Sequence, residues 1–126
     1  MKLLPLREAF TVCQIRDGSG VDWSQPFTFV SRTDEELSLV CPTGFVPGNA
    51  VRREDGWRAF RVQGALDFSL TGILAGIAAV LAEEGIAIFA VSTYNTDYVL
   101  VKDENFSCAL RALEGKGYEI EEEQAE

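Results

Sequence analysis

From Gly85 to Val101 the chain reads Gly-Ile-Ala-Ile-Phe-Ala-Val-Ser-Thr-Tyr-Asn-Thr-Asp-Tyr-Val-Leu-Val. Two apolar segments flank a short polar one, the pattern of a β-hairpin whose strands are core. The turn, Ser92 to Asp97, gathers hydroxyls, an amide and one carboxylate where a plain core hairpin needs none of them. Immediately upstream lies the clearest helix. Leu70, Ile73, Leu74, Ile77, Val80 and Leu81 recur at helical spacing. Asp67 or Ser69 is placed to cap its start and Gly85 to end it. Gly72 and Gly76 stand one turn apart, a spacing that allows close approach to a neighbouring sheet or helix.

The hairpin strands are expected at Ile86–Ser92 and Thr96–Val101. Asp103 is placed to cap a second helix with the stripe Phe106, Ala109, Leu110 and Leu113, stopped by Gly115 and Gly117. Tyr118–Ile120 suits a final edge strand. With a strand at Trp57–Val62, the order from Trp57 is β-α-β-β-α-β, an α+β arrangement with two helices on one face of an antiparallel sheet. The first half reads as strands at Phe10–Ile15, Phe27–Arg32 and Glu36–Cys41, with loops at Arg16–Gln25 and Pro42–Gly56. That order is a shortened version of the same plan, although no residue-level repeat is evident. Trp23 is expected to pack back on the core or to serve as an interface anchor.

Charge narrows the function classes. Acids outnumber bases 20 to 11, for a formal charge of −9. A nucleic-acid or anionic-membrane partner needs a basic footprint, so neither is expected. Residues 119–126 hold five glutamates and no base, which reads as a solvated tail. The Phe68–Ala82 run is too short to span a bilayer comfortably. No signal peptide is evident, and a cytoplasmic location is expected.

The chain contains no histidine. Ser-His-Asp and Cys-His catalysis and His-based metal sites are therefore unavailable. Cys13, Cys41 and Cys108 are odd in number and widely spaced, so they are expected as free, buried thiols. No catalytic residue, metal or cofactor is expected, and the chain reads as a non-enzyme.

Two features remain as candidate chemistry. A helix start near Gly72 and Ile73 offers N–H groups and the positive end of a dipole to a carboxylate. Gly72 serves either close ligand approach or helix packing. Asp97 is positioned to meet an ammonium group, with Ser92, Thr93 and Asn95 as further hydrogen-bonding groups; alternatively it is an ordinary solvated turn residue. Together the two suit an α-amino acid. Arg52, Arg53, Arg58 and Arg61 form a basic cluster whose bland reading is salt bridging to nearby acids.

Three stretches carry a resemblance. They are Phe68-Ser69-Leu70-Thr71-Gly72-Ile73-Leu74, then Glu84-Gly85-Ile86-Ala87-Ile88-Phe89, and then the run from Ser92 to Val101 with its S-T-x-x-T-D-Y-x-L-V pattern. Arg32 to Pro42 adds to it in the first half. The chain resembles the ACT domain family, in particular the short tandem-ACT proteins of bacteria, and is similar to the ACT regions of cytosolic arginine sensors. The resemblance implies a ferredoxin-like βαββαβ ACT domain over residues 57–120. It also implies a shorter, degenerate ACT-like subdomain over 1–56, with an acidic tail at 121–126. It implies a regulatory module that binds a small-molecule effector, an amino acid, and that forms a homodimer. The family's ligand contacts fall on Gly72, Ile73, Thr93, Tyr94 and Asp97, which joins Ser92 and Asn95 to give the candidate site. The competing reading is a ligand-free dimerisation or protein-interaction module.

Overall fold

In the computed structural model, residues 1–63 and 71–122 are described. The elements in chain order are β1 (Lys2–Ile15), β2 (Phe29–Arg32), β3 (Leu37–Pro42), β4 (Ala50–Val62), α1 (Ile73–Glu83), β5 (Phe89–Ser92), β6 (Asp97–Lys102), α2 (Asp103–Gly115) and β7 (Glu119–Ile120), with single 3-10 turns at Gly18–Gly20 and Thr43–Phe45. The chain divides into two compact units, Met1–Arg7 with Arg58–Glu126, and Glu8–Trp57.

The first unit carries the βαββαβ order from β4 to β7. Its strands lie in the order β7, β1, β4, β6, β5. β5 and β6 pair antiparallel, with Phe89 opposite Leu100 and Ser92 opposite Asp97. β7 lies parallel to the start of β1, with Lys2 opposite Glu119 and Leu3 opposite Ile120. The core is Leu3, Phe60, Val62, Ile77, Leu81, Val99, Val101, Phe106, Ala109 and Leu113, with Ile86 beside them. Those residues fall at alternate positions on β4 and β6 and at helical spacing on α1 and α2, so each element turns one face to a common interior.

Both helices end the same way. The Gly85 N–H donates to Ala82 O at 3.0 Å and the Ile86 N–H to Leu81 O at 3.0 Å; the Gly117 N–H donates to Glu114 O at 3.1 Å and the Tyr118 N–H to Leu113 O at 3.1 Å. These paired bonds are Schellman motifs, which satisfy the last helical carbonyls and reverse the chain. Gly117 has φ of +100°, a conformation that costs an L side chain about 1–2 kcal/mol. Gly117→Ala is therefore expected to lower the unfolding free energy by about that amount, read as a lower urea midpoint. A midpoint equal to wild type would mean the turn relaxes at no cost.

The second unit is a sheet in the order β2, β3, β1 and the first part of β4. β1 and β3 are antiparallel, with Thr11 opposite Cys41 and Cys13 opposite Leu39. Its core is Cys13, Ile15, Val21, Leu37, Leu39 and Cys41. Single 3-10 turns stand where the first unit has helices. Thr11 is fully buried, and its hydroxyl lies 2.6 Å from Asp55 Oδ1 and 3.0 Å from Thr43 Oγ1. The Cys13 and Cys41 thiols are pushed up by burial, Cys41 to about 11. Both therefore stay protonated and unreactive near neutral pH. All three cysteines are free, with Cys108 only partly buried.

The hairpin β2–β3 recurs 60 residues later as β5–β6, without a gap: Phe29–Arg32 and Leu37–Pro42 against Phe89–Ser92 and Asp97–Lys102.

Several elements differ from the sequence expectation. β1 begins at Lys2 rather than Phe10, because Leu3, Leu4, Pro5 and Leu6 are all buried and a strand covered on both faces shows no alternation. β4 begins at Ala50 rather than Trp57; Val51 to Gly56 are exposed, so polarity there resembles a loop. β2 begins at Phe29 because Phe27 sits at φ of +64°, its ring edge-on to the buried Phe10 at 6.1 Å. Trp23 is 68% exposed, not packed on the core. Gly115 is the last residue of α2 rather than its stop. Lys102 is the N-cap of α2, so Asp103 occupies the first helical position instead. Asp67, Ser69 and the start of the expected first helix at Leu70 lie outside the described residues.

Candidate functional site

The turn between β5 and β6 is closed by its own hydrogen bonds. The Thr93 N–H donates to Thr96 O at 2.8 Å. The Thr93 hydroxyl donates to the same carbonyl at 3.0 Å and accepts from the Thr96 N–H at 3.3 Å. Thr93 thus acts as a local side-chain staple, the usual role of threonine at a turn. At the mouth of the turn Ser92 Oγ donates to Asp97 Oδ1 at 2.6 Å, a charge-assisted length. That bond fixes the carboxylate while its second oxygen keeps acceptor capacity. Ser92, Thr93, Tyr94 and Asn95 are exposed and Asp97 half-buried; Tyr94 is 81% exposed.

Thr96 differs from its neighbours. It is only 7% exposed, and its hydroxyl donates to Val62 O at 2.7 Å. Val62 ends β4, the strand from which the chain proceeds to α1. The adjoining Gln63 N–H donates to Lys2 O at 2.9 Å. Sequence reasoning left Thr96 out of the site, because a hydroxyl among hydroxyls carries no sign of its burial.

Gly72 is the N-cap of α1, at φ 78° and ψ 2°, and the cap makes no side-chain hydrogen bond. The first intrahelical bond runs from the Gly76 N–H to Gly72 O at 2.8 Å. An added Cβ at Gly72 would meet no described atom within 4 Å. The glycine is thus accounted for by its left-handed backbone rather than by helix packing. Close approach occurs instead at Gly76, where a Cβ would lie 3.1 Å from the Tyr118 hydroxyl. Ile73 lines a surface cavity of about 260 Å³ with Met1, Lys116, Gly117 and Tyr118. The turn residues are not in that lining, so the structure joins Ser92 to Asp97 directly but brings neither into the cavity at Ile73.

The arginines do not form one anion site. Arg53 pairs with Asp55 at 3.0 Å. Arg58 donates to Leu6 O at 3.0 Å. Arg61 reaches Gln63 Oε1 at 3.2 Å and the Tyr98 hydroxyl at 3.4 Å. Among the described residues no group of three or more His, Cys, Asp or Glu is arranged to hold a metal ion. None of their helices is long and apolar enough to cross a membrane.

A βαββαβ unit with a polar turn between its second and third strands is an α+β module. The model of the ACT domain matches residues 52–115, and the chain belongs to the ACT domain family. It is similar to a crystallised protein of Agrobacterium tumefaciens, with 30% identity, a TM-score of 0.86, and coverage of 98% of this chain and 94% of that one. It is also similar to the regulatory subunit of aspartate kinase from Thermus thermophilus, solved in a ligand-free form. That likeness has a TM-score of 0.62, 12% identity, and coverage of 90% of this chain and 95% of that one, so it speaks to the fold alone. Among curated proteins, subunit 1 of the cytosolic arginine sensor for mTORC1 from Rattus norvegicus is 37% identical over 59 residues. Those residues are 46% of this chain, which spans 18% of that relative's length.

Proposed function

We propose that this chain is a non-catalytic regulatory module that binds an α-amino acid. The ligand carboxylate meets the N–H groups at the start of α1 around Gly72 and Ile73, and its ammonium group meets Asp97. Ser92, Thr93, Tyr94 and Asn95 border the ligand. The observation that supports this reading most is the carboxylate of Asp97, held by Ser92 at 2.6 Å in a turn tied to the end of β4. The first N–H groups of a helix have no intrahelical acceptor, and the N-cap of α1, Gly72, has no side chain to accept from them. One charge of each sign suits a zwitterion. The name of the rat relative makes L-arginine the first ligand to try, and it also supports a cytoplasmic setting.

In the same reading Glu8–Trp57 is a reduced ACT-like copy. Its hairpin keeps the spacing of β5–β6 and the same closing bond, from the Thr33 N–H to Glu36 O at 2.9 Å. Arg32 and Leu37 stand where Ser92 and Asp97 stand, so the copy lacks the carboxylate and is not a second site. The working form is a homodimer.

The test is thermal unfolding with each proteinogenic L-amino acid in turn. A ligand at a hundredfold excess over its Kd stabilises by about 2.7 kcal/mol, and Asp97→Asn is expected to abolish the shift. No shift with any amino acid at millimolar concentration would remove the reading. A second reading, a ligand-free interaction module, draws support from α1. Ile73 to Ala82 carries no charge, and Ala75, Ala79 and Ala82 are exposed, an outer face unlike that of a solvated helix. Concentration-dependent sedimentation without any amino-acid response would favour it.

A further inference from the structure

We infer that Thr96 is the positioning residue of this site: its hydroxyl hangs the Ser92–Asp97 turn from the last residue of β4, so that the turn and the end of β4 answer a ligand together. The inference rests on the amino-acid reading above. Three observations carry it. Thr96 is 7% exposed while Thr93, Tyr94 and Asn95 are exposed, so it alone among these residues reaches inward. Its partner, Val62 O, lies 2.7 Å away, and the next residue, Gln63, is bonded to β1 through Lys2 O. The end of β4 is thereby held from the turn and from β1.

The third observation separates placing the turn from building it. The matching turn in the other hairpin has the same closing bond, from the Thr33 N–H to Glu36 O at 2.9 Å. The Thr33 hydroxyl likewise accepts from the Glu36 N–H at 3.1 Å. Yet Glu36, which stands where Thr96 stands, is exposed. A turn of this kind closes without an inward hydroxyl, so the buried bond of Thr96 serves the turn's location. Asp97 follows Thr96 directly and takes its place from it. Thr96→Val removes the hydroxyl at nearly constant shape, leaving the turn closed and its tether cut.

Three proteins are compared: wild type, Thr96→Val and Thr96→Ser. Each is titrated by calorimetry with L-arginine and then the other proteinogenic amino acids, at a temperature where circular dichroism shows full folding. Thr96→Val is expected to raise Kd about tenfold, equivalent to about 1.4 kcal/mol and in the range for one buried hydrogen bond. Thr96→Ser, which keeps the hydroxyl, is expected to stay within about threefold of wild type. A purely structural role would lower the unfolding midpoint of Thr96→Val and leave the Kd of the folded protein unchanged, which overturns the inference alone. Equal impairment by Thr96→Ser overturns it too. No binding to wild type overturns it together with the amino-acid reading. If Thr96→Val does not fold, amide exchange on wild type decides. Bound ligand is expected to slow both the Thr93 and the Gln63 N–H, and slowing of the Thr93 N–H without Gln63 counts against the tether.

Discussion

Phe60→Ala is expected to lower the unfolding free energy by about 3–5 kcal/mol, the usual cost of emptying a buried aromatic site. Phe60 has no exposed surface, and it belongs to the core cluster that includes Ile77 and Leu81 of α1, Val99 and Val101 of β6, and Leu3 of β1. Three separate chain segments meet in that cluster, so the site cannot collapse by moving one of them. A domain of this size has about 5–15 kcal/mol in total, and the variant would keep only part of it. Urea unfolding followed by circular dichroism checks this through the midpoint, with the slope unchanged. Phe60→Leu is expected to lose much less, because most of the volume stays filled. A loss below about 1 kcal/mol for Phe60→Ala would mean that the helices close over the gap.

Arg58→Ala is expected to cost about 2–3 kcal/mol, more than a surface charge normally contributes. Arg58 Nη2 donates to Leu6 O at 3.0 Å, and a charged donor on a carbonyl contributes about 1.5–3 kcal/mol. Its guanidinium carbon lies 4.4 Å from the centre of the Phe106 ring, a cation–π contact of about 0.5–2 kcal/mol. Asp103 adds little, since its carboxylate is 3.8 Å away and 70% exposed, and exposed pairs contribute about 0–1 kcal/mol. Asp103→Asn should therefore be nearly silent. Arg58→Lys should fall between, as an ammonium keeps the charge but loses the planar fork. Equal losses in Arg58→Ala and Asp103→Asn would mean the ion pair dominates instead. The pairs do not add independently, so the double variant is part of the measurement.

What the sequence disclosed follows from how each element meets water. α1 was legible because Ile77 and Leu81 are buried beside exposed neighbours such as Ala79, and the β5–β6 hairpin because its apolar strands, with Val99, Leu100 and Val101 all buried, are split by the exposed polar run Ser92 to Asn95. The start of β1 was not, since four consecutive residues from Leu3 are buried and leave no period to find. The start of β4 was hidden for the opposite reason, with six exposed residues from Val51. Phe27 reads as a strand residue by propensity, and only its packing on Phe10 shows why the backbone turns there. The order of elements already showed the first half as a shortened copy, but the gapless match of the two hairpins was hidden because only two matched positions keep their residue, Phe29 with Phe89 and Thr33 with Thr93. In the candidate site, the hydroxyl-rich turn and the glycine before α1 were visible as composition. The division of labour among Ser92, Thr93 and Thr96 was not, because it depends on which hydroxyl faces inward.

The pairing of β7 with Lys2 and Leu3 of β1 bears on how the chain folds. The two strands lie far apart in the chain, and contacts between distant segments form slowly. Residues 8–57 form a compact unit of their own, whereas the start of β1 meets β4 first, through Lys2 O and the Gln63 N–H, and gains its other neighbour only with Glu119–Ile120. Leu3, with no exposed surface in the finished fold, shares a cluster with residues from β4 through to α2, so its cover is completed late. One edge of the start of β1 therefore stays open until β7 docks, so closing this unit depends on a contact between residues as far apart as Leu3 and Ile120.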